Sequence, residues 1–217
     1  MRLAGLLRRI LAETEIERIR LSSVEPMDLS GDLLELMASS PRIAQHVHAP
    51  LQSGCDAVLR RMHRKYRPRH YAERILKARS LMPDAAIGAD VMVGFPGETD
   101  EEFEISRAFI DSLPFTYLHV FTYSERPGTP AAESPLQVPI PVRKQRNRIL
   151  RLLAARKNLE FQKRFAGRTL SVVTLGDGRT ALSSNYLTVR LTHPLPPNLL
   201  KTGTVTDFPF FCPSSNE

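Results

Sequence analysis

IGADVMVGFPGETDEEF, residues 87–103, joins an apolar, β-branched run to a glycine-containing turn and then to an acidic segment. Gly94 and Gly97 lie in the turn, and Glu102 follows Thr99 by three residues, the spacing of a helix capping box. The stretch therefore predicts a strand, a tight loop and a capped helix. Ligands of α/β folds bind beside such loops, although a tight turn also needs glycine for its backbone conformation alone.

Strand and helix patterns alternate on both sides of this stretch. With helices between them, we expect strands near residues 19–21, 45–51, 89–95 and 117–123. This alternation predicts a parallel sheet or part of a β/α barrel, which we assign to residues 1–140. Four strands do not close a barrel, so we expect Met1 to be an internal or truncated start.

The last third of the chain has a different pattern. Five prolines between residues 125 and 141 predict an extended linker with little helix. A basic helix follows over residues 141–166, and its expected apolar side carries Ile149, Leu152, Leu153 and Leu159. The period of the apolar residues then falls to about two, which predicts a small all-β barrel over residues 167–208. We expect residues 209–217 to be a frayed tail.

Composition excludes several classes of protein. The chain has 217 residues, 42% of them hydrophobic and 24% charged, which is typical of a globular protein with one full and one smaller domain. Two cysteines are too few for a disulfide framework and fit a reducing, cytoplasmic setting. Arg8 and Arg9 interrupt the apolar residues 3–11, so we expect no signal peptide and no membrane partner.

Positive charge is concentrated in the C-terminal third. Residues 1–140 carry 17 Lys and Arg against 19 Asp and Glu, whereas residues 141–217 carry 13 against 4. Such a basic region predicts a polyanion partner, usually nucleic acid, and a solvated helix face is the alternative. The cations of the predicted helix are Arg143, Lys144, Arg146, Arg148, Arg151, Arg156 and Lys157.

In the predicted barrel, one aromatic side chain lies among cations, the pattern with which small β-barrels hold phosphates and stack a base. These candidate RNA-binding residues are Tyr186, Arg168, Arg179, Arg190 and Lys201.

Polar residues follow each predicted strand of the first domain. They are Ser22, Ser23 and Glu25; Gln52, Ser53 and Cys55; Gly94 to Glu98; and Tyr123, Ser124 and Arg126. In a β/α barrel these positions meet at one rim, where active sites form. Neutral hydroxyl and amide groups suit hydrogen bonding to a ribose, an adenine edge or an amino acid better than acid–base catalysis, and turn capping is the alternative for each of them.

Cysteine and histidine residues could support thiol chemistry or metal binding. Cys55, at a predicted helix N-terminus, is either a low-pKa thiol or simply a small residue, and we favour the second interpretation. His46 and His48 project from the same side of one strand, a weak zinc signal that lacks an acidic third ligand. We therefore predict no metal site and no catalytic residue in this chain.

Five segments together resemble the radical S-adenosylmethionine methylthiotransferases, most closely the branch that modifies N6-threonylcarbamoyladenosine in tRNA. They are RIRLSSVEP (18–26), HAPLQSGCDAVLRRMHRKY (48–66), DVMVGFPGETDEEF (90–103), FTYSERPGTPAA (121–132) and NYLTVRL (185–191). The last is similar to the RNA-binding TRAM barrel of these enzymes, and the LSSVEP form favours the threonylcarbamoyl branch. The resemblance implies an α/β fold in which a partial radical-SAM-type (β/α) barrel precedes a small, OB-like TRAM barrel.

The resemblance also implies cofactors. The family uses a [4Fe–4S] cluster on a C-x3-C-x2-C motif to cleave S-adenosylmethionine, and an N-terminal domain carries a second cluster. Neither the motif nor that domain is present in this sequence. Since clusters need several thiolates at one point, we expect this polypeptide to be a C-terminal half that is inactive without its N-terminal half.

The resemblance implies roles for individual residues. Ser22, Ser23 and Gln52 are expected near the ribose and methionine groups of S-adenosylmethionine, and Gly94, Phe95, Pro96 and Gly97 near its adenine. Those expected near the substrate nucleotide are Tyr123, Ser124, Arg126, Gly128 and Thr129. Tyr186 and Arg190 are expected to contact the tRNA anticodon arm.

Two other functions fit parts of the sequence. A stand-alone RNA-binding protein would keep the basic helix and the barrel without catalysis. A hydrolase or aldolase on a β/α barrel would need a group of Lys, Asp or Glu residues at the strand ends, which these segments lack.

Overall fold

The computed structural model of the chain describes residues 3–213. Within that range, no helix combines the length and the apolar composition that a membrane span requires. A three-stranded sheet and a closed five-stranded barrel organise the described chain.

The sheet is parallel, as predicted. Its strands β1 (His46–His48), β2 (Ala86–Val93) and β3 (Tyr117–Thr122) lie in the order β1-β2-β3. The strand expected at residues 19–21 is wrong, because Ile19 makes only an isolated bridge to Ile43. Two backbone hydrogen bonds hold this segment beside residues 42–44, which is too little for a strand.

Helices cover one face of the sheet. They are α1 (Leu3–Glu13), α2 (Gly31–Ser39), α3 (Asp56–Arg61), α4 (Pro68–Leu81) and α5 (Asp100–Ser112). The predicted capping box at the start of α5 is confirmed: the Glu102 N–H donates to Thr99 Oγ1 at 3.2 Å, and the Thr99 N–H donates to Glu102 Oε2 at 3.1 Å. Alternate residues of β2, from Ile87 to Val93, are buried in this core.

The opposite face of the sheet is polar. His46, His48, Asp90, Tyr117 and His119 project from it, and we call these five residues the polar face. Gly88 leaves room for the Tyr117 ring, since an added Cβ would overlap that ring. His46 and His48 are nevertheless buried, so β1 is covered on both of its faces.

Two further helices connect the sheet to the barrel. The short α6 (Pro130–Glu133) lies inside the linker that we expected to contain little helix, because proline is well tolerated in a first helical turn and Thr129 caps it. The long α7 (Ile140–Lys163) covers the edge of β3. Its Asn147 and Asn158 amides donate to the carbonyls of Val120 and Thr116, both at 3.1 Å.

The buried side of α7 matches the prediction only in part: Leu153 is buried and Ile149 packs against the core, as expected, but the other two residues of the predicted side do not. Leu152 and Leu159 are 63% and 52% exposed, whereas Arg143 and Arg146 are only 5% and 4% exposed. Arg143 and Arg146 face inward because they bond loops at the carboxyl end of the sheet.

The barrel comprises β4 (Thr169–Thr174), β5 (Thr180–Ser183), β6 (Thr188–Leu191), β7 (Leu200–Val205) and β8 (Phe210–Pro213), closed in the order β4-β5-β6-β8-β7. The predicted tail is thus wrong for residues 210–213. β8 pairs with β6 and β7, and Phe211 is fully buried with Val172 and Val205. The rest of the expected tail, residues 214–217, lies outside the described residues.

The barrel packs on the amino end of the sheet. Phe161, Phe165 and Leu187 form a small buried cluster with Ala86, the first residue of β2. Asn185 Nδ2 donates to the carbonyl of Asp84 at 3.1 Å, immediately before that strand. The loop that follows β2 therefore lies at the opposite end of the sheet from the barrel.

Candidate functional site

The loop after β2 is closed on itself by hydrogen bonds. The Gly94 N–H donates to Glu98 Oε1 at 3.0 Å, and the Glu98 N–H donates to the carbonyl of Phe95 at 2.9 Å. Gly94 and Gly97 have φ angles of +75° and +77°, which are costly for other residues. The glycines predicted from the sequence are thus required by the turn itself.

Gly94 has a second reason to be glycine. An added Cβ would overlap Cγ of Arg143, which packs directly on this residue. The missing side chain of Gly94 therefore makes room for Arg143 of α7, whereas we expect from the sequence that it makes room for a ligand.

Arg146 fixes the loop from the other side. Its Nη1 lies 2.7 Å from Glu98 Oε1 and also donates to the Glu98 carbonyl at 3.1 Å, while Nη2 lies 2.7 Å from Asp100 Oδ1. The Arg146 and Glu98 side chains are only 5% and 1% exposed. A buried carboxylate with this ion partner and a backbone N–H holds the loop in one conformation.

Arg143 connects this loop to the segment after β3. Its Nε donates to the Val138 carbonyl at 2.6 Å, and Nη1 donates to the Tyr123 carbonyl at 3.2 Å. The guanidinium also lies 5.2 Å from the centre of the Tyr123 ring. Two loops at the carboxyl end of the sheet are thereby held together by one buried cation.

A cavity of about 560 Å³ opens between these loops. It is lined by Gln52, Arg61, Met62, His63, Arg64, Met92, Phe95, Pro96, Thr129, Pro130, Ala131 and Ser134. Four predicted site residues therefore come together here: Gln52, Phe95, Pro96 and Thr129. The volume is in the range of small-molecule sites, roughly 300–1,000 Å³.

Gln52 enters the site through an unusual backbone conformation. Its φ is +64°, and its N–H and carbonyl bond to Asp90 and Met92 of β2, both at 2.8 Å. The residue thus continues the sheet for one position before the chain turns into α3.

The remaining predicted residues of this edge lie elsewhere. Ser22 and Ser23 are exposed, and Ser23 lines a different cavity beside α1. Ser124, Arg126 and Gly128 are exposed on the loop before α6. Tyr123 is instead buried, with its ring edge-on to Phe95, and its hydroxyl has no hydrogen-bond partner among the described residues.

The cysteines do not fit an iron–sulfur cluster. Cys55 is buried at the start of α3, in keeping with the small-residue interpretation, and Cys212 is exposed on β8. These are the only two cysteines of the sequence, and a [4Fe–4S] site of this family needs three thiolates at one point.

The predicted RNA-binding residues fall into two groups. Arg190 is exposed on β6 and Arg179 is exposed immediately before β5, with the Leu191 N–H donating to the Arg179 carbonyl at 2.9 Å. Arg168 is engaged with Asp84, to which its Nη1 donates at 3.1 Å. Tyr186 stacks on His46 with ring centres 4.2 Å apart, so its ring lies against the sheet.

The predicted RNA-binding residues did not include Phe210, an exposed aromatic residue of the barrel. Phe210 on β8 is 48% exposed and pairs directly with Arg190 of β6. The signal was present in the alternation of Phe210 and Phe211, one outward and one inward, but we had assigned both to a tail.

A hydrogen-bond chain runs through the polar face. His46 Nδ1 lies 3.2 Å from the Leu21 carbonyl, and Tyr117 Oη lies 2.7 Å from His46 Nε2 and 2.9 Å from His48 Nδ1. Burial, reinforced by the nearby Arg20 guanidinium, lowers the pKa of His46 to about 4. The ring is therefore neutral at pH 7.

Known proteins are similar to this chain in sequence and in fold. The Radical SAM superfamily profile matches residues 2–110. The tRNA-2-methylthio-N(6)-dimethylallyladenosine synthase of Endomicrobium trichonymphae is 39% identical over 170 residues, which are 78% of this chain and 41% of that protein. The threonylcarbamoyladenosine tRNA methylthiotransferase MtaB of Rickettsia prowazekii is 40% identical over 189 residues, 87% of this chain and 44% of that protein. The chain thus spans about two-fifths of the length of these curated relatives.

A solved structure shows the same fold. Coproporphyrinogen III oxidase (HemN) from Escherichia coli, a radical SAM enzyme, matches 94% of this chain and 49% of its own length with a TM-score of 0.53. Its sequence is 15% identical, so the match concerns the fold alone. With half of its residues matched by the family profile and this fold, the chain belongs to the Radical SAM superfamily.

Proposed function

We propose that the chain is the C-terminal portion of a tRNA methylthiotransferase and that its carboxyl-edge cavity binds S-adenosylmethionine. The observation that carries this proposal is the cavity of about 560 Å³ beside the locked loop after β2, in a chain of this superfamily. Parallel α/β sheets bind their ligands at this end of the strands.

The lining residues suit an adenosine. Phe95 and Pro96 offer apolar surface for the adenine. Gly94 and Gly97, whose N–H groups already bond Glu98 and Leu136, flank this wall in sequence and are proposed to lie near the adenine. The Gln52 amide reaches the same space and can bond a ribose hydroxyl or the methionine group. The exposed Ser22 and Ser23 hydroxyls are proposed to reach the ligand from the segment beside β1, where the Val24 N–H bonds the His48 carbonyl at 2.9 Å.

The iron–sulfur cluster is proposed to be held outside this chain. When bound, a reduced [4Fe–4S] cluster supplies the electron that cleaves S-adenosylmethionine to a radical. Because two separated cysteines cannot hold it, we assign its ligands to an N-terminal half and infer that residues 1–217 alone are not catalytic.

RNA is proposed to lie on the barrel and on the exposed side of α7. Lys144, Arg148 and Arg151 follow one another at helical spacing on that side and are exposed. On the barrel, Phe210 lies beside Arg190 and can stack a base while the cations hold phosphates. We therefore interpret the barrel as a TRAM-like module that binds the tRNA anticodon arm, which also implies a cytoplasmic protein.

The proposed substrate is N6-threonylcarbamoyladenosine at position 37, methylthiolated at C2. The LSSVEP segment favours this branch over the dimethylallyl branch, although relatives from both branches match the chain at similar identity. The exposed Ser124, Arg126 and Gly128 are proposed to approach this nucleotide, together with Thr129 at the cavity and Tyr123, which is buried against Phe95.

A stand-alone RNA-binding protein is the second candidate. The lack of cluster thiolates in the sequence favours it, and the exposed cations fit both functions. The two candidates differ at the carboxyl-edge cavity, because only the enzyme needs S-adenosylmethionine there.

Two single substitutions separate the sites. Phe95→Ala removes a wall of the cavity, and Phe210→Ala removes the exposed aromatic ring of the barrel. S-adenosylmethionine binding by calorimetry and anticodon-arm binding by fluorescence anisotropy are measured for both variants. We expect Phe95→Ala to weaken only the first by about tenfold or more, and Phe210→Ala to weaken only the second by about 5- to 100-fold.

The outcomes of these two binding measurements distinguish the two candidate functions. Binding of RNA without any S-adenosylmethionine binding by the folded chain would favour the stand-alone RNA-binding protein. Loss of both activities in each variant would show that the two sites are not separate and would contradict the proposal.

A further inference from the structure

The polar face brings together three metal-ligating groups from three strands. His48 Nε2 on β1 lies 3.2 Å from Asp90 Oδ1 on β2, and His119 Nδ1 on β3 lies 3.1 Å from the same oxygen. All three donor atoms lie within 4.8 Å of one another. This juxtaposition follows from the strand register, in which Asp90 pairs with His119.

The hydrogen-bond chain engages one nitrogen of His48 and leaves the other facing Asp90. A backbone carbonyl can only accept, so His46 Nδ1 donates to Leu21, and the Tyr117 hydroxyl lies between His46 Nε2 and His48 Nδ1. When His48 carries one proton, on the Nδ1 that Tyr117 engages, its lone pair lies on Nε2. This lone pair faces the Asp90 carboxylate.

Two lone pairs at 3.2 Å repel each other unless a positive charge lies between them. A cation bound to both atoms removes the repulsion, and His119 adds a third donor on the exposed side, where its side chain is 51% exposed. Donor atoms bound to tetrahedral zinc at 2.0–2.1 Å are about 3.3 Å apart, close to the separations of His48 and His119 from Asp90 Oδ1.

We propose that His48, Asp90 and His119 form a binding site for a divalent first-row transition metal such as Zn²⁺ or Fe²⁺. Two imidazoles and one carboxylate are the ligand set that these ions share. Tyr117 is the positioning residue, since it holds the His48 ring in the tautomer that offers Nε2. Three protein ligands leave at least one coordination position open, on the side where His119 meets solvent.

This site does not depend on the proposed binding of S-adenosylmethionine or RNA. The three ligand side chains project from the polar face, and the carboxyl-edge cavity is lined by a different set of residues. It also needs no cysteine, so it differs from any iron–sulfur site.

The test is metal binding by the complete 217-residue chain, prepared without a histidine tag. Zinc content after dialysis is measured by mass spectrometry, and Co²⁺ replaces Zn²⁺ for absorption spectroscopy. We expect one ion per chain with a dissociation constant below about 1 µM, and a Co²⁺ spectrum of nitrogen and oxygen ligands without a thiolate band.

Three variants locate the ion. His119→Gln removes a half-exposed ligand, and we expect it to weaken zinc binding by about a hundredfold or more, whereas His70→Gln on α4 leaves it unchanged. Tyr117→Phe keeps the ring but not the hydroxyl and should weaken binding by about 10- to 100-fold. Circular dichroism confirms that each variant is folded.

The proposal would be overturned by a folded wild-type chain that binds no zinc. It would also be overturned if His119→Gln bound zinc as tightly as His70→Gln, because the ion would then lie elsewhere. In either case the polar face would be a hydrogen-bond network with a proton, rather than a metal, between His48 and Asp90.

Discussion

The first turns of α7 carry two groups of cations, one buried and one exposed. Arg143 and Arg146 are buried and bond the loops at the carboxyl edge of the sheet, whereas Lys144, Arg148 and Arg151 are exposed. Both groups belong to the same segment of the sequence, residues 143–151. Their difference shows that position around the helix, and not charge, decides whether a cation builds the fold or remains available to a partner.

This comparison changes the meaning of the C-terminal charge. The excess of 13 basic over 4 acidic residues after residue 140 includes cations that already bond groups of the first domain. Arg156 and Lys157 bond Asp111, and Arg168 bonds Asp84. The surface that we propose for RNA is accordingly smaller than the charge of the sequence suggests, and it comprises one side of α7 and the barrel.

The largest expected effect comes from breaking the buried group. Arg146→Met leaves the Glu98 carboxylate buried without its ion partner, and we expect the free energy of unfolding to fall by about 3–5 kcal/mol. Arg148→Met, on the exposed side, should change it by less than about 0.5 kcal/mol. Urea unfolding followed by circular dichroism measures both, and similar losses in the two variants would contradict the distinction.

The packing of Arg143 is tested by a pair of glycines. Gly94 and Gly128 have nearly equal φ angles, +75° and +76°, but only Gly94 has a neighbour that an added Cβ would overlap. Gly128→Ala should cost about 1 kcal/mol for the backbone alone. Gly94→Ala should cost about 2–4 kcal/mol in the same urea experiment, because Arg143 must also move. Equal costs would mean that Arg143 adapts freely.

The exposed group is tested by its effect on RNA binding. Replacing Lys144, Arg148 and Arg151 together by glutamine should lower the slope of log affinity against log salt by about 2 to 3. Arg156→Gln is the control, since this exposed arginine already bonds Asp111 at 2.6 Å. Anticodon-arm binding at several KCl concentrations measures the slopes. An unchanged slope in the triple variant would place the RNA elsewhere.

The smallest expected effect concerns the end of α7. The hydrogen bond from Arg168, with the charge of Arg164 nearby, lowers the pKa of Asp84. Stability from these pairs is therefore present above the unfolded pKa of about 3.9 and is lost as the pH falls through the lower folded value. Asp84→Asn should be less stable than wild type at pH 6 by under about 1 kcal/mol, with a difference that shrinks towards pH 3. A constant difference in urea unfolding would contradict this assignment.

Local signals in the sequence predicted much of the first domain. The capping box before α5 and the strand patterns of β1, β2 and β3 depend on neighbouring residues, and they are confirmed. The glycine turn after β2 is confirmed for the same reason.

Contacts between distant residues escaped the sequence analysis. Asp90 and His119 are 29 positions apart and meet only through strand register, so spacing within one strand showed no acidic partner for His46 and His48. Tyr186 has a φ of +65° and packs on His46, which no local pattern encodes. The inward turn of Arg143 and Arg146 likewise depends on where the loops end, and only the packed structure shows it.

The central claim is that the loop held by Arg146 and Arg143 forms one wall of an S-adenosylmethionine site. Titration of the ¹⁵N-labelled chain with S-adenosylmethionine tests it directly through backbone amide shifts. We predict saturable shifts at Gln52, Gly94 and Gly97 and none on the barrel strands β4 to β8. A folded chain whose shifts do not change, or change only on the barrel, would contradict the account.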